Sequence, residues 1–374
     1  HTGHVKNLIR KILLMITLTA TSCIYVGSIN FMFNIRYIDV GHQTASVLIL
    51  DQDTDGFLDL AVVGGSNLTL LRGDGTGDFK IHETVSAGEH AVDLESGDLD
   101  NDGWLDLVIV NHETSYLTLL FGGIDGFNPE RNEKLTIDVA PHPHAVVVED
   151  INEDGFLDII VDDRDRERLR IYQGHGDGTF RLSRSINVSG DPYRGMTITD
   201  INGDGHLDVI TPNPRSIAIQ LGNGTGDFIH STQIDSESVP PFSTLTADFN
   251  GDKLLDIAAG SGEGPGLLMV WFGTTDGTFE GPSNAPFKIA RGPTRLNTTD
   301  INDDNIDDIL VASYLGNEVA IVLWEQENFH VERIKLDDNP WDVAAGDLNG
   351  DSRLDLVVAN DSGTKITVFL ACDD

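Results

Sequence analysis

The stretch Asp51-Gln52-Asp53-Thr54-Asp55-Gly56-Phe57-Leu58-Asp59 sets carboxylates at positions one, three, five and nine of a nine-residue span. The spacing returns with first residues Asp98, Asp150, Asp200, Asp248, Asp300 and Asp347, and Asn replaces the third-position Asp in the last five copies. Successive first residues lie 47, 52, 50, 48, 52 and 47 apart. A period near 50 residues kept along the chain is the mark of one supersecondary unit repeated in an array. No linker or composition shift interrupts it, so residues 29–374 read as one domain.

The unit is legible around each loop. A short apolar run precedes it, such as Ala145-Val146-Val147-Val148, and another follows, such as Leu157-Asp158-Ile159-Ile160-Val161. A third run, such as Ile217-Ala218-Ile219-Gln220-Leu221, leads into a Gly-rich turn and a Phe, as in Gly222 to Phe228. A fourth, more polar run alternates, as in Phe329-His330-Val331-Glu332-Arg333-Ile334. Short β-rich runs bounded by Gly, Asn and Asp read as strands. Four strands per repeat, set radially, predict an all-β fold: a seven-bladed β-propeller of four-stranded blades. WD40 and kelch arrays share the period, but the Gly-His and Trp-Asp signatures of the first are absent, and the second lacks the aspartate loop. After the seventh loop only two strands remain, Leu354 to Ala359 and Lys365 to Leu370. The run Phe33 to Asp39 has the outer-strand pattern, so the N-terminal strand is expected to complete the last blade and close the ring, removing exposed edges.

The loops also predict a ligand. Ca²⁺ takes six to eight oxygen donors at about 2.3–2.6 Å. Each loop offers side-chain oxygens at positions one, three, five and nine and a carbonyl at seven. The expected ligands are Asp51, Asp53, Asp55 and Asp59 in the first loop and Asp98, Asp100, Asp102 and Asp106 in the second. The third and fourth offer Asp150, Asn152, Asp154, Asp158 and Asp200, Asn202, Asp204, Asp208. The last three offer Asp248, Asn250, Asp252, Asp256, then Asp300, Asn302, Asp304, Asp308, then Asp347, Asn349, Asp351, Asp355. Up to seven ions follow, each pinning a hairpin. Position six is Gly56, Gly103, Gly155 and Gly205 in the first four loops, which suits a positive φ. Lys253, Asn305 and Ser352 stand there in the others, so weaker or distorted sites are expected, above all at Lys253. Twelfth positions such as Val62 and Ile109 are apolar where an EF-hand needs Glu. The alternative is a set of Asx-turns without metal, each Asp capping backbone N–H groups.

Composition agrees with cation sites. Twenty-four Lys and Arg stand against 61 Asp and Glu, a formal charge of -37. That balance leaves nothing to neutralise phosphates, so nucleic acid and anionic lipid are excluded as partners. The loops account for 23 of the carboxylates, and three or four packed together without a cation would repel strongly.

On these loops, with Phe121-Gly122 and Phe272-Gly273 as weaker echoes, the chain resembles the FG-GAP/VCBS repeat family over about residues 33–374. That family includes the propeller head of integrin α chains and many secreted bacterial proteins. The resemblance implies calcium in the hairpins and an adhesion or ligand-binding role.

The N-terminus reads as a targeting segment over residues 1–28. Lys6, Arg10 and Lys11 precede an uncharged run whose most apolar part is Ile12 to Ile16. It is expected to be a cleaved signal, an uncleaved membrane anchor, or a lipoprotein signal in which Ala20-Thr21-Ser22-Cys23 leaves Cys23 lipidated; a buried element of the fold is the remaining alternative. Membrane contact is expected only through this segment. Two cysteines, Cys23 and Cys372, exclude a disulfide framework and a thiolate zinc cluster. The protein is expected to be secreted or anchored at the cell surface, as a monomer.

Ligand chemistry is expected on the rim opposite the aspartate loops. Between blades stand His90, His142, His144, Tyr193 and Arg194, with His112 between the second and third strands of the second blade. Converging histidines could hold a second metal or act as acid and base, and Arg with Tyr could grip an acidic sugar; solvated loop residues are the plain alternative. The charge run from Asp162 to Arg168 is expected to be a solvated turn. The expected function is a noncatalytic binding or adhesion module for a glycan or extracellular protein. Alternatives are a polysaccharide lyase using the His/Tyr/Arg rim, or a purely structural surface protein. No nucleophile elbow, zinc motif or phosphate loop supports other chemistry.

Overall fold

The computed structural model describes residues 23–26, 31–137, 142–188, 192, 195–236, 240–262, 266–281 and 286–372. The targeting segment expected over residues 1–28 lies outside them apart from residues 23–26. Apart from two three-residue 3₁₀ turns, every regular element described is a β-strand, and among the described residues no helix is long and apolar enough to cross a membrane.

The strands form six antiparallel sheets of four to six strands, a β-propeller. This corrects the expectation of seven separate four-stranded blades. The first two repeats share one six-stranded sheet, because the long strands Asp59–Gly73 and Phe79–Gly97 join them, with an irregular stretch where the partner of Gly65 is Ala91 and that of Asn67 is Ser86. Asp59 to Val63 pairs with Ser46–Leu50, whereas Asn67 to Gly73 pairs with Phe79 to Ser86. Ala91 to Gly97 then pairs with Asp106–Asn111. The two ends of this sheet nevertheless pack on each other, since Ala61, Val63, Leu68 and Leu70 share one apolar cluster with Leu107, Ile109 and Leu120.

Burial explains the strand composition. The strands that follow the loops are buried along their whole length, as in Asp158–Asp163 and Asp355–Asn360. Neighbouring units cover both of their faces, so their sequence is a near-continuous apolar run rather than an alternation. The outer strand Phe180–Asn187 is exposed at most positions.

The ring closes as expected. Phe31–Asp39 pairs antiparallel with Lys365–Ala371, with Ile35 opposite Phe369. Apolar contacts join the first repeat to the last through Leu60, Val62, Val357 and Val368. The hydroxyl of Ser46 donates to Asp342 at 2.5 Å, and that of Thr44 to the Asn360 carbonyl at 2.6 Å.

One further bond ties the seam. Cys23 and Cys372 form a disulfide with Cα atoms 6.2 Å apart, and Ile24–Val26 adds to the edge of Phe31–Asp39. Two cysteines thus make one bridge and not a framework. A sulfur held in this bond is not open to a lipid thioether, one of the alternatives expected for Cys23.

Candidate functional site

The seven aspartate loops share one geometry. In the first, the Asp51 carboxylate accepts from the backbone N–H of Asp55 at 3.1 Å and of Gly56 at 3.0 Å. Asp53 accepts from Asp55 N–H, and Asp55 from Phe57 N–H. The fifth loop repeats this with Asp248 accepting from Asp252 and Lys253, and the seventh with Asp347 accepting from Asp351 and Ser352. These N–H bonds are those of an Asx-turn, so they fit a loop with or without an ion.

Two positions in each loop have positive φ. Position six does, as expected: +88° at Gly56 and still +70° at Lys253, +65° at Asn305 and +67° at Ser352. The Lys253 loop keeps the common hydrogen bonds, so the expected distortion there is not seen. Position four also has positive φ, which the sequence reading missed. It is Gly203, Gly251 and Gly350 in the fourth, fifth and seventh loops but Asp303 in the sixth. The sixth loop alone has glycine at neither position, with Asp303 at +59° and Asn305 at +65°, a conformation unfavourable for L-residues.

The ninth-position Asp is the buried end of each site. One oxygen accepts the N–H of loop position two: Leu99 for Asp106 at 2.9 Å and Leu348 for Asp355 at 2.9 Å. The other accepts an N–H where the third strand ends: Gly73 for Asp59, Gly122 for Asp106, Gly174 for Asp158, Gly222 for Asp208, Gly273 for Asp256 and Ala371 for Asp355. Close approach favours glycine at this place, since a Cβ at Gly122 would overlap the Leu105 carbonyl and one at Gly73 that of Leu58, whereas the last repeat accommodates Ala371 there. This is the physical role of the Phe121-Gly122 and Phe272-Gly273 pairs. In the sixth repeat Ile309 pairs with Val322, which puts Trp324 at that place. Asp308 accepts from Ile301 N–H only, and its Oδ1 is buried without a hydrogen bond.

The electrostatics follow. Burial first, and then the neighbouring carboxylates, push Asp106 and Asp256 up to about 7 and Asp158, Asp208 and Asp355 up to about 6. Asp59 is also raised by burial. Asp308, lacking the second N–H, is pushed up to about 8. Ligand oxygens of Asp51, Asp53 and Asp59 lie within 4.8 Å of one another, as do those of Asp98, Asp100 and Asp106. The first and second loops carry an extra carboxylate at position three, and each has an arginine on it. Arg72 contacts Asp53 at 2.5 Å and Asp59 at 3.2 Å, and Arg131 contacts Asp100 at 2.5 Å. Crowded, partly buried carboxylates and an orphaned buried oxygen fit a hard divalent cation.

The far ends of the same strands carry a different chemistry. His112, His142 and His144 meet with ring centroids 4.4–4.8 Å apart. His144 is buried and packs on Asp162, whose Oδ1 accepts the backbone N–H of His144 at 2.7 Å and of Ala145 at 2.9 Å. Burial, then the neighbouring His144, lowers the pKa of His142. His90 contributes through its backbone: with φ +49° its carbonyl accepts the N–H of His112 at 2.9 Å. Tyr193 and Arg194 lie outside the described residues.

The rim holds three further features. Asp162 and Asp163 are each 1% exposed, and Asp163 pairs with Arg170 at 3.1 Å, so the start of the charge run is buried structure rather than a solvated turn. Two Asp closing the apolar run Ile159-Ile160-Val161 were the available signal. Arg295 pairs with Asp93 and reaches Asp342 at 3.6 Å. Arg295, Asp342, Thr294, Trp341 and His144 line one small cavity, and Trp341 meets Tyr314 edge to face at 5.3 Å.

Solved structures share the fold. A lectin from Agrocybe aegerita, described as recognising non-reducing terminal N-acetylglucosamine, is 18% identical with a TM-score of 0.55, over 86% of this chain and 87% of its own. Virginiamycin B lyase from Staphylococcus aureus is 14% identical with a TM-score of 0.59, over 90% of this chain and 99% of its own. No curated protein matches the chain. FG-GAP-like repeats match at residues 51–109, 98–161, 150–211, 200–259, 248–311 and 300–358. The strand–loop–strand units built on the aspartate spacing are those repeats, and the chain belongs to the FG-GAP-like repeat family.

Proposed function

We propose that this protein is a calcium-braced extracellular binding module that takes a glycan or protein ligand on the rim opposite the aspartate loops. Calcium is held by the ligand set from Asp51 to Asp355, and each ion neutralises carboxylates that burial otherwise pushes toward the protonated form. The Cys23–Cys372 bond supports an oxidising, extracellular setting.

The observation that carries the binding site is the meeting of Trp341, Arg295 and Asp342 on this rim, around a cavity that itself has room for about one water. An aromatic face beside a guanidinium and carboxylates is the chemistry that grips a polar, ring-shaped ligand. A lectin among the similar folds supports a sugar as that ligand, without identifying it. The test is retention of the calcium-loaded chain on immobilised glycans with N-acetylglucosamine, other neutral sugars or uronic acids at their ends. Retention lost with Trp341→Ala, in a variant that melts like the parent, supports the reading. Retention of no glycan, or retention indifferent to Trp341, overturns the glycan form of it. The lyase alternative has the three-histidine corner in its favour, and release of unsaturated uronide from acidic polysaccharides would establish it instead.

A further inference from the structure

The geometry points to a second metal centre, chemically distinct from the aspartate loops, in which His112, His142 and His144 hold one zinc-class divalent ion through imidazole nitrogens. One ring nitrogen from each residue lies within 4.8 Å of the others. Nitrogens around a tetrahedral zinc at about 2.0–2.1 Å stand about 3.3 Å apart. Small side-chain rotations therefore suffice to close the set.

The local chain explains the convergence. His142-Pro143-His144 lies outside regular structure and leads into the strand Val146–Glu149. Pro143 fixes its own φ and biases His142 before it toward extended backbone, in which residues two apart face the same side. His112 comes from the turn after Asp106–Asn111, held by its N–H bond to the His90 carbonyl and followed by Glu113 at φ +59°. Two units thus each bring part of the set to one corner.

The surroundings also suit a metal. Asp162 Oδ2 lies 3.4 Å from His144 Nδ1. A carboxylate on the distal nitrogen of a metal-bound imidazole fixes its tautomer and strengthens it as a ligand. Three nitrogens suit zinc, copper or nickel and do not suit calcium, which selects oxygen. A three-protein-ligand set also leaves a fourth position for water or an oxygen donor of a bound molecule. The inference stands whether or not the aspartate loops bind calcium.

The test is zinc titration of the metal-stripped full chain against a chromophoric chelator, with millimolar calcium present to occupy oxygen sites. One zinc per chain with Kd below about 0.1 µM is expected. His142→Ala should weaken it about 100-fold or more, while calcium-dependent melting stays unchanged. Should His142→Ala fold poorly, His112→Asn reads the same loss. Co²⁺ in place of zinc should give the intense visible bands of a four-coordinate nitrogen site, absent in either variant. No binding tighter than about 10 µM by the folded parent, or binding unchanged in a folded variant, overturns the proposal.

Discussion

Arg131 Nη1 stands 2.5 Å from Oδ2 of Asp100, the carboxylate that fills the third position of the second loop. Arg72 makes the same contact with Asp53 in the first. These are the two loops with Asp rather than Asn at that position, so each guanidinium offsets the extra charge of its loop. Arg131 also lies over the Phe121 ring, 4.2 Å from its centroid. Arg131→Met is therefore expected to lower the melting temperature of the calcium-free protein slightly. It should also tighten calcium at the second loop about tenfold, because a nearby like charge is gone. Isothermal titration of parent and variant checks both directions.

The ninth-position aspartates set the pH dependence. Their folded pKa values lie above the ordinary value of 3.8, reaching about 6 to 8. A carboxyl raised on folding contributes stability that is fully present below the unfolded pKa and is lost as pH rises through the folded one. The calcium-free protein should thus melt at a lower temperature at pH 8 than at pH 5. Calcium needs the ionised form, so its stabilising effect should grow over the same interval. Free calcium at 100 times its Kd contributes about 2.7 kcal/mol per site. Melting curves at both pH values, stripped and calcium-loaded, should diverge as pH rises; parallel curves would count against metal in the loops.

Asp308 should be the most metal-dependent of these residues. Its Oδ1 is buried without a donor and its loop has no glycine at positions four or six. Asp308→Asn removes the uncompensated charge and should stabilise the calcium-free protein at pH 8 by about 1 kcal/mol. Asp106→Asn, at a carboxylate with both oxygens bonded to backbone N–H groups, should destabilise it. Chemical denaturation of the two stripped variants separates these outcomes.

Gly122 is a packing requirement. A Cβ there meets the Leu105 carbonyl, so Gly122→Ala should cost about 1–3 kcal/mol and loosen the N–H bond to Asp106. Urea unfolding measures the loss, and calcium affinity at the second loop should fall with it.

The Cys23–Cys372 bond spans 349 residues of sequence. Cys372→Ser should cost about 2–4 kcal/mol and raise amide exchange in Phe31–Asp39 before any other strand, because that strand closes the ring. Uniform exchange across the sheets would assign the bond no special part in closure.

The period of the aspartate loops, the four-strand unit and the closing role of Phe31–Asp39 were legible in the sequence, because each is a local pattern repeated at fixed spacing. Position six of the loops was legible through its glycines, and the hydrogen bonds of the Asp side chains follow from spacing alone. Whether neighbouring units share a sheet was decided in three dimensions. Glycine-containing strands at Gly64-Gly65 and Gly88 carry hydrogen bonding from the first unit into the second, and no periodicity announces it. The meeting of His112 with His142 and His144, the arginines on Asp53 and Asp100, and the burial of Asp162 likewise depend on which units adjoin. A repeat fixes what each unit contains, whereas the contacts between units join residues far apart in the chain, and only the closed ring brings those together.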